Sequence, residues 1–291
     1  MTKSEPVTYD RKGFFEDWDK VNKNLGERWD KVLKTNPHKD IGHETITDRY
    51  FVFSITKRLW KLIPHKKGLK LLKYDLYNEA TGTGGTMRWL MSKGYNCYGV
   101  DISQEVVKLA RKNFSKEIPV NKYFKVGDVR KLPFKDNTFD VVFSFGTIEH
   151  IRENQKACEE AFRVLKPGGI FITNVNNKIN IWGNYLINEA TNVLFSKIIS
   201  YEPSFSPWAQ KSWVVNSGFS NIKVDGMITF PHIFRYLDFV AEWKRFPKIL
   251  KLIIEFLILK PWIWFSKITD EIFFMRYLGM HTSCSGTKPK R

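Results

Sequence analysis

From Leu69 onward, short apolar runs alternate steadily with stretches of helical periodicity. LKLLKYDLYNEA leads into a helical TMRWLMSKG, then YNCYGVDI, EVVKLARKNF, KYFKVGDV, FDVVFSFG, ENQKACEEAFRVL and GIFITNV. Alternation at this pace predicts parallel βαβ units in a doubly wound α/β sheet, since parallel neighbours are joined only by a crossover that packs back on the sheet. KPGG at 166–169 is a turn between a helix and the next strand.

The flanking segments read differently. Phe14, Phe15, Trp18, Val21, Leu25, Trp29 and Leu33 recur at helical spacing and predict an amphipathic helix over 11–34. A second helix is expected over 47–62, with Pro64 beyond its end. After the fifth strand a helix is expected over 182–199. Ser206 and Pro207 then start another, which runs through WAQKSWVVNS and stops at Gly218. The strand FSNIKVDGM follows, and a last strand lies in YLGMHTSCSG. Between these two, residues 228–274 form an insertion. Connections in compact domains usually take about 4–6 residues, so one this long is expected to be a functional cap or binding element. The organisation is therefore an N-terminal helical cover (1–68), a Rossmann-like domain (69–227), the insertion (228–274), and a final strand and tail (275–291).

Composition narrows the setting. A chain of 291 residues with 43% hydrophobic residues can bury a sizeable core. The formal charge of +17 points to an anionic partner, nucleic acid or an acidic membrane face, or to a solubilising surface. Cys97, Cys158 and Cys284 are too few and too scattered for a disulfide framework or a metal knuckle, which fits a cytoplasmic setting. The N-terminal residues lack the apolar run of a signal peptide. The most apolar stretch, 249–259, is bounded or broken by Lys248, Lys251, Glu255 and Lys260, and falls short of the roughly 18 uncharged residues of a membrane span.

The chemistry concentrates at predicted strand ends. In NEATGTGGTMRWL, glycines 82, 84 and 85 allow a tight turn and close approach of a ligand, and the helix after them offers free N–H groups. Asp101 ends the second strand, where a carboxylate can accept from both ribose hydroxyls or, alternatively, cap the next helix. Asp128 ends the third strand, where it can accept from an adenine amino group while Val129 packs the ring; its plain alternative is a turn aspartate. Ligands of open α/β sheets bind outside the carboxyl ends of the strands, so these three positions line one edge.

Here the chain resembles the class I S-adenosylmethionine-dependent methyltransferases, in particular the group acting on small molecules and quinone-type lipids. The resemblance covers 69–227 and rests on EATGTGG, GVDIS, GDVRKLPFKDNTFDVVFSFGTIEHI and AFRVLKPGGIFITNV. It implies a seven-stranded sheet with an antiparallel last strand. It places the methionine part of the cofactor along Glu79, Ala80, Thr81, Gly82, Thr83 and Gly84. Asp101 and Ile102 would hold the ribose, Asp128 and Val129 the adenine, and Phe145 and Gly146 would wall the site. The first loop departs from the family's acid-x-Gly-x-Gly-x-Gly: either Asn78 stands at the acidic position and Ala80 replaces the first glycine, or Glu79 is the acid and Thr81 replaces it. Strand one is also polar for a central strand, with Lys73, Asp75 and Asn78.

His150, just past the fourth strand, is the candidate general base, with Glu149 to orient it or take a proton; the alternative is that both hold the loop. His43 and His281 are outside candidates, and no metal is expected. In 243–274, Lys244, Lys248, Lys251 and Glu255 share a helical face, Leu250, Ile253, Ile254, Leu257 and Ile258 fill the rest, and PWIWF and EIFFMRY follow. Such a segment suits an interfacial helix on an anionic membrane, or a lid or dimer face packed through its apolar side. Either reading favours a small, hydrophobic or lipid-linked acceptor. The competing classes are an RNA methyltransferase, for which no binding module or NPPY-like signature is present, and a non-catalytic membrane-associated scaffold.

Overall fold

The computed structural model describes residues 25–35, 45–180, 182, 203–242 and 246–290. The expected helix over 182–199 lies outside these residues apart from Trp182, as do residues 11–24 of the first helix. The described chain opens with α1 (Leu25–Thr35) and α2 (Ile46–Leu62). α2 starts on a reciprocal cap: Thr45 accepts from the Asp48 N–H while the Asp48 carboxylate accepts from the Thr45 N–H.

Strands β1 (Lys70–Tyr74), β2 (Asn96–Asp101), β3 (Phe124–Val126), β4 (Phe139–Phe145), β5 (Leu165–Asn177), β7 (Ser220–Met227) and β8 (His281–Thr287) form one sheet in the order β3-β2-β1-β4-β5-β8-β7. β1 to β5 pair in parallel, and β8 runs antiparallel to both β5 and β7. This is the expected seven-stranded doubly wound sheet, with a two-residue β6 (Ser204–Phe205) added parallel to the end of β5. KPGG lies within the span of β5, where the register shifts from Phe139 opposite Leu165 to Val141 opposite Ile170, so residues 166–169 loop out of the ladder.

Crossovers are made by α3 (Tyr77–Thr81), α4 (Gly85–Ser92), α5 (Gln104–Phe114), α6 (Val120–Tyr123), α7 (Asn154–Val164) and α8 (Pro207–Asn216). Ser103 and Ser206 cap α5 and α8 through their hydroxyls. The strand period of two sorts side chains onto two faces. Leu72, Val142 and Phe171 join one apolar core, and Leu71, Val141, Phe143 and Ile172 the other.

Two expectations need correction. The first strand stops at Tyr74 instead of continuing through LYNEA, and 77–81 are helical. An extended strand would have carried Asp75, Asn78 and Glu79 through a central layer; instead Asp75 takes a left-handed φ of 64° and turns the chain. The third strand is only Phe124–Val126, because 120–123 close a helical turn before it.

The insertion folds as α9 (His232–Ala241), α10 (Lys248–Ile254), a π-helical turn (Glu255–Leu259), α11 (Lys260–Thr269) and α12 (Phe273–Tyr277). α10 runs through the π turn into α11. Pro261 has no N–H to give to Leu257 and its ring crowds that carbonyl, which the wider turn accommodates. A third core of Tyr50, Phe51, Met227, Phe230, Leu259 and Ile263 binds the insertion to α2 and to the sheet.

Candidate active site

The carboxyl ends of β1, β2 and β4 meet at one edge, since Tyr74 stands opposite both Val100 and Ser144. At the tip of β1 a buried charge network forms. The Lys73 ammonium donates to Glu79 Oε2 at 2.7 Å and to Asp75 Oδ1 at 3.0 Å. Burial alone would lower the Lys73 pKa, but Asp75 and then Glu79 outweigh it, so the net shift is upward and the ammonium stays charged. The other oxygen of Asp75 accepts from Thr147 Oγ1 at 2.8 Å, which ties β1 to the loop after β4.

Asp101, buried at the tip of β2, accepts from the Leu76 N–H at 2.8 Å through Oδ2 and from the Ser103 N–H at 2.9 Å through Oδ1. Burial pushes its pKa up to about 7, against the two backbone donors, which pull it down. The cap of α5 is Ser103, so Asp101 is not spent on that role. Ile102 is half-buried beside it.

Asp128 lies past β3, joined to β2 by the Gly127 N–H donating to the Asp101 carbonyl at 2.9 Å. Arg130 clasps its carboxylate, with Nη2 to Oδ2 at 2.7 Å, and Arg130 also reaches Glu153 at 2.7 Å. Val129 is buried next to it.

The glycine segment is held by the end of α5. Asn113 Nδ2 donates to the carbonyls of Glu79 and Ala80 at 3.0 and 2.9 Å. Gly84 sits at φ 59°, and a Cβ there would lie 2.6 Å from Phe114 Cζ, so conformation and space both require glycine. Thr81, Gly82 and Thr83 are half-buried or exposed, Ala80 is buried, and Glu79 is turned inward to Lys73.

Gly146 is exposed at the end of β4 and Phe145 is half-buried. Phe145 packs against both the core under α4 and α5 and the core of the insertion, so it stands between the strand ends and the insertion. Glu149 and His150 are buried in a 3-10 turn (Ile148–His150) that Asn154 braces by donating to the Ile148 and Ile151 carbonyls at 2.7 and 2.8 Å. Trp29 of α1 lies edge-on to the His150 ring at 5.2 Å and to Tyr77 at 6.0 Å. Asp30 accepts from Ser103 Oγ, so α1 closes over the strand ends.

Local sequence patterns assign no site role to Lys73, Asp75, Thr147 or Trp29. The polarity of β1 was a signal for the first two. Nothing local marked Trp29 or Thr147, whose partners are distant in the chain. His281 lies in β8, ring against Phe51 at 6.1 Å, and burial pushes its pKa down to about 3.

Comparison with known proteins bears on this edge. Residues 79–173 match the family model described as a methyltransferase domain. The chain is 39% identical over 122 residues, 38% of its length, to the ubiquinone/menaquinone biosynthesis C-methyltransferase UbiE of Roseobacter denitrificans, covering 46% of that protein. It is 30% identical over 185 residues, 54% of its length, to squalene methyltransferase 1 of Botryococcus braunii, covering 47% of it. The chain thus spans less than half of either relative. Among solved structures, phosphoethanolamine N-methyltransferase 2 of Haemonchus contortus in complex with S-adenosyl-L-methionine superposes over 97% of this chain and 62% of that one, with a TM-score of 0.57 and 19% identity.

Proposed function

We propose, from a chain whose residues 79–173 match a methyltransferase domain, that this protein transfers a methyl group from S-adenosylmethionine to O, N or C of a small, hydrophobic or lipid-linked acceptor. The observation that carries the reading is the convergence of Asp101, Asp128 and the 146–150 loop on one sheet edge inside the matched segment.

The residues present suit the cofactor's chemistry. Asp101 offers a desolvated carboxylate fixed by two backbone donors, with lone pairs left for ribose hydroxyls. Asp128, oriented by Arg130, and Val129 suit an adenine edge and face. Of the first loop, Thr81, Gly82, Thr83 and Gly84 remain candidates for the methionine part. Glu79 instead supports the loop through Lys73, and Asp75 takes the tip of β1. When bound, S-adenosylmethionine supplies an activated methyl group, and the protein contributes orientation and electrostatics. His150 takes the acceptor's proton; Glu149 is buried beside it in the same 3-10 turn, and Trp29 packs edge-on against the ring. Trp29 and α1 keep water from the edge.

The acceptor reading rests on the insertion. Its core reaches Phe145, so an acceptor held there approaches the cofactor edge. Its outer face stays apolar: Ile249 is 75% exposed, Leu257 73% and Trp264 67%. We therefore assign residues 246–274 to contact with an anionic membrane surface, while no helix among the described residues is long and apolar enough to cross one.

Calorimetric titration with S-adenosylmethionine and S-adenosylhomocysteine tests the reading, and micromolar binding is expected. Absence of binding to both would overturn it in favour of a non-catalytic scaffold. His150→Ala should cut turnover at least tenfold and leave cofactor affinity within about twofold; an unchanged rate would make His150 structural.

A further inference from the structure

A groove of about 410 Å³ opens between α2 and α11, apart from the strand-end site. Its apolar lining includes Phe53, Ile263 and Trp264, and three cations stand in it: Arg49, Lys260 and Lys267. The volume falls within the range of small-molecule sites, about 300–1,000 Å³.

The charge balance of the groove is one-sided. The adjoining crevice shares Phe53 and Lys267 but also holds Asp270 and Glu271. There the cations other than Lys267 find partners: Glu271 pairs with Lys57 and Lys61, and the crevice's two arginines, Arg58 and Arg276, share Asp225. Asp270 is engaged by Tyr50 Oη at 2.8 Å and the Thr229 N–H at 2.9 Å. The larger groove has no carboxylate in its lining, and Arg49, Lys260 and Lys267 form no ion pair with a described residue. Lys260 lies 3.5 Å over the Phe256 ring and Lys267 5.1 Å over Phe53, so aromatic faces hold the ammonium groups while their charge stays uncompensated.

We propose that this groove binds the phosphate headgroup of one anionic phospholipid at the bilayer surface, with Arg49, Lys260 and Lys267 around the phosphate and Phe53, Ile263 and Trp264 against the glycerol and upper acyl chain. A soluble anion would satisfy the cations and leave the apolar lining wet. A lipid satisfies both. The rim continues the exposed apolar face of the insertion, where Phe256 is 59% exposed, and tryptophan favours the headgroup level. The proposal rests on the membrane-contact part of the reading above and is independent of methyl transfer.

The test is co-sedimentation of the full chain with phosphatidylcholine vesicles, plain or doped with phosphatidylglycerol. Doped vesicles should bind and plain ones only weakly. Arg49→Gln, Lys260→Gln and Lys267→Gln combined should weaken binding roughly a hundredfold, at about fivefold per cation. Trp264→Ser should weaken it at least fivefold. As a charge-matched control, Lys112→Gln, Lys116→Gln and Lys135→Gln combined should lose far less. Equal losses in the two triple variants would reduce the effect to general surface charge and overturn the groove. Full competition by glycerol phosphate, with Trp264→Ser unaffected, would make it a soluble-anion site. No binding of the unaltered chain to doped vesicles would sink the idea outright. Cofactor titration of the groove triple variant should match the unaltered chain, which separates failure here from failure of the methyltransferase reading.

Discussion

Lys73 sits in a central strand only because two carboxylates meet it. A buried ammonium left alone would deprotonate, and two buried carboxylates left alone would repel. Removing one partner of such a pair generally costs about 3–5 kcal/mol. Lys73→Met should therefore lower the urea midpoint strongly, and adding Glu79→Leu to it should recover part of the loss. Additive losses in the double variant would show that the network is not coupled. Asp101 makes a prediction about pH. Its folded pKa is raised above the ordinary aspartate value to about 7, so its protonated form favours the fold. That contribution is full below about pH 4 and is lost as pH rises through about 7. Ribose hydroxyls donate to the ionised form, so affinity for S-adenosylhomocysteine should rise between about pH 6 and about pH 8. Asp101→Asn should weaken binding several-fold and flatten the profile; a profile unchanged in the variant would take Asp101 out of the ribose site.

At the scale of elements, the insertion depends on how closely α12 lies on β7. A Cβ on Gly226 would stand 1.8 Å from the Arg276 carbonyl oxygen, a backbone atom that can give way only if α12 moves. Arg276 itself bonds Asp225 at 2.8 Å and the Asp270 carbonyl at 2.8 Å, so the helix is anchored on both sides of that contact. Gly226→Ala should destabilise by about 1–3 kcal/mol or more in urea unfolding. It should spare cofactor affinity, because β7 lies at the far edge of the sheet from Asp101. An unchanged midpoint would mean that α12 docks loosely. The join between β7 and the insertion is itself strained: Ile228, a β-branched residue, holds a φ of 62°.

Across the whole molecule, the strand-end edge proposed for the cofactor and the apolar insertion share one body through Phe145 and the core beneath α2. Ligand binding at the strand ends should then stabilise the chain as a unit. S-adenosylhomocysteine at about 100 times its Kd adds about 2.7 kcal/mol, enough to raise Tm by roughly 5 °C. A melt that splits, with only one transition shifted, would show that the insertion unfolds independently. The charge of +17 supplies an encounter field for an anionic surface. If RNA were the acceptor, binding to it would fall steeply with salt, while transfer to an apolar acceptor would hold.

The period of the apolar residues was enough to place the strand and helix order, and with it the doubly wound sheet, because that information is local to each element. The aspartates at 101 and 128 were legible for the same reason: they stand at or just past strand ends that the pattern itself delimits, whereas the glycine turn follows the helix Tyr77–Thr81. The end of β1 was not legible. It depends on Lys73 finding Glu79 and Asp75 and on Leu76 donating to Asp101, which are choices made through space. Trp29 over His150 and Thr147 on Asp75 join residues far apart in sequence, so no window of the chain contains both partners. In the insertion, amphipathic spacing announced helices but could not say which apolar side chains would be covered. The tertiary structure buries Ile254, Leu259 and Ile263 and leaves Ile249, Leu257 and Trp264 outside. Burial depends on what packs opposite, and that is decided only when the whole chain has folded.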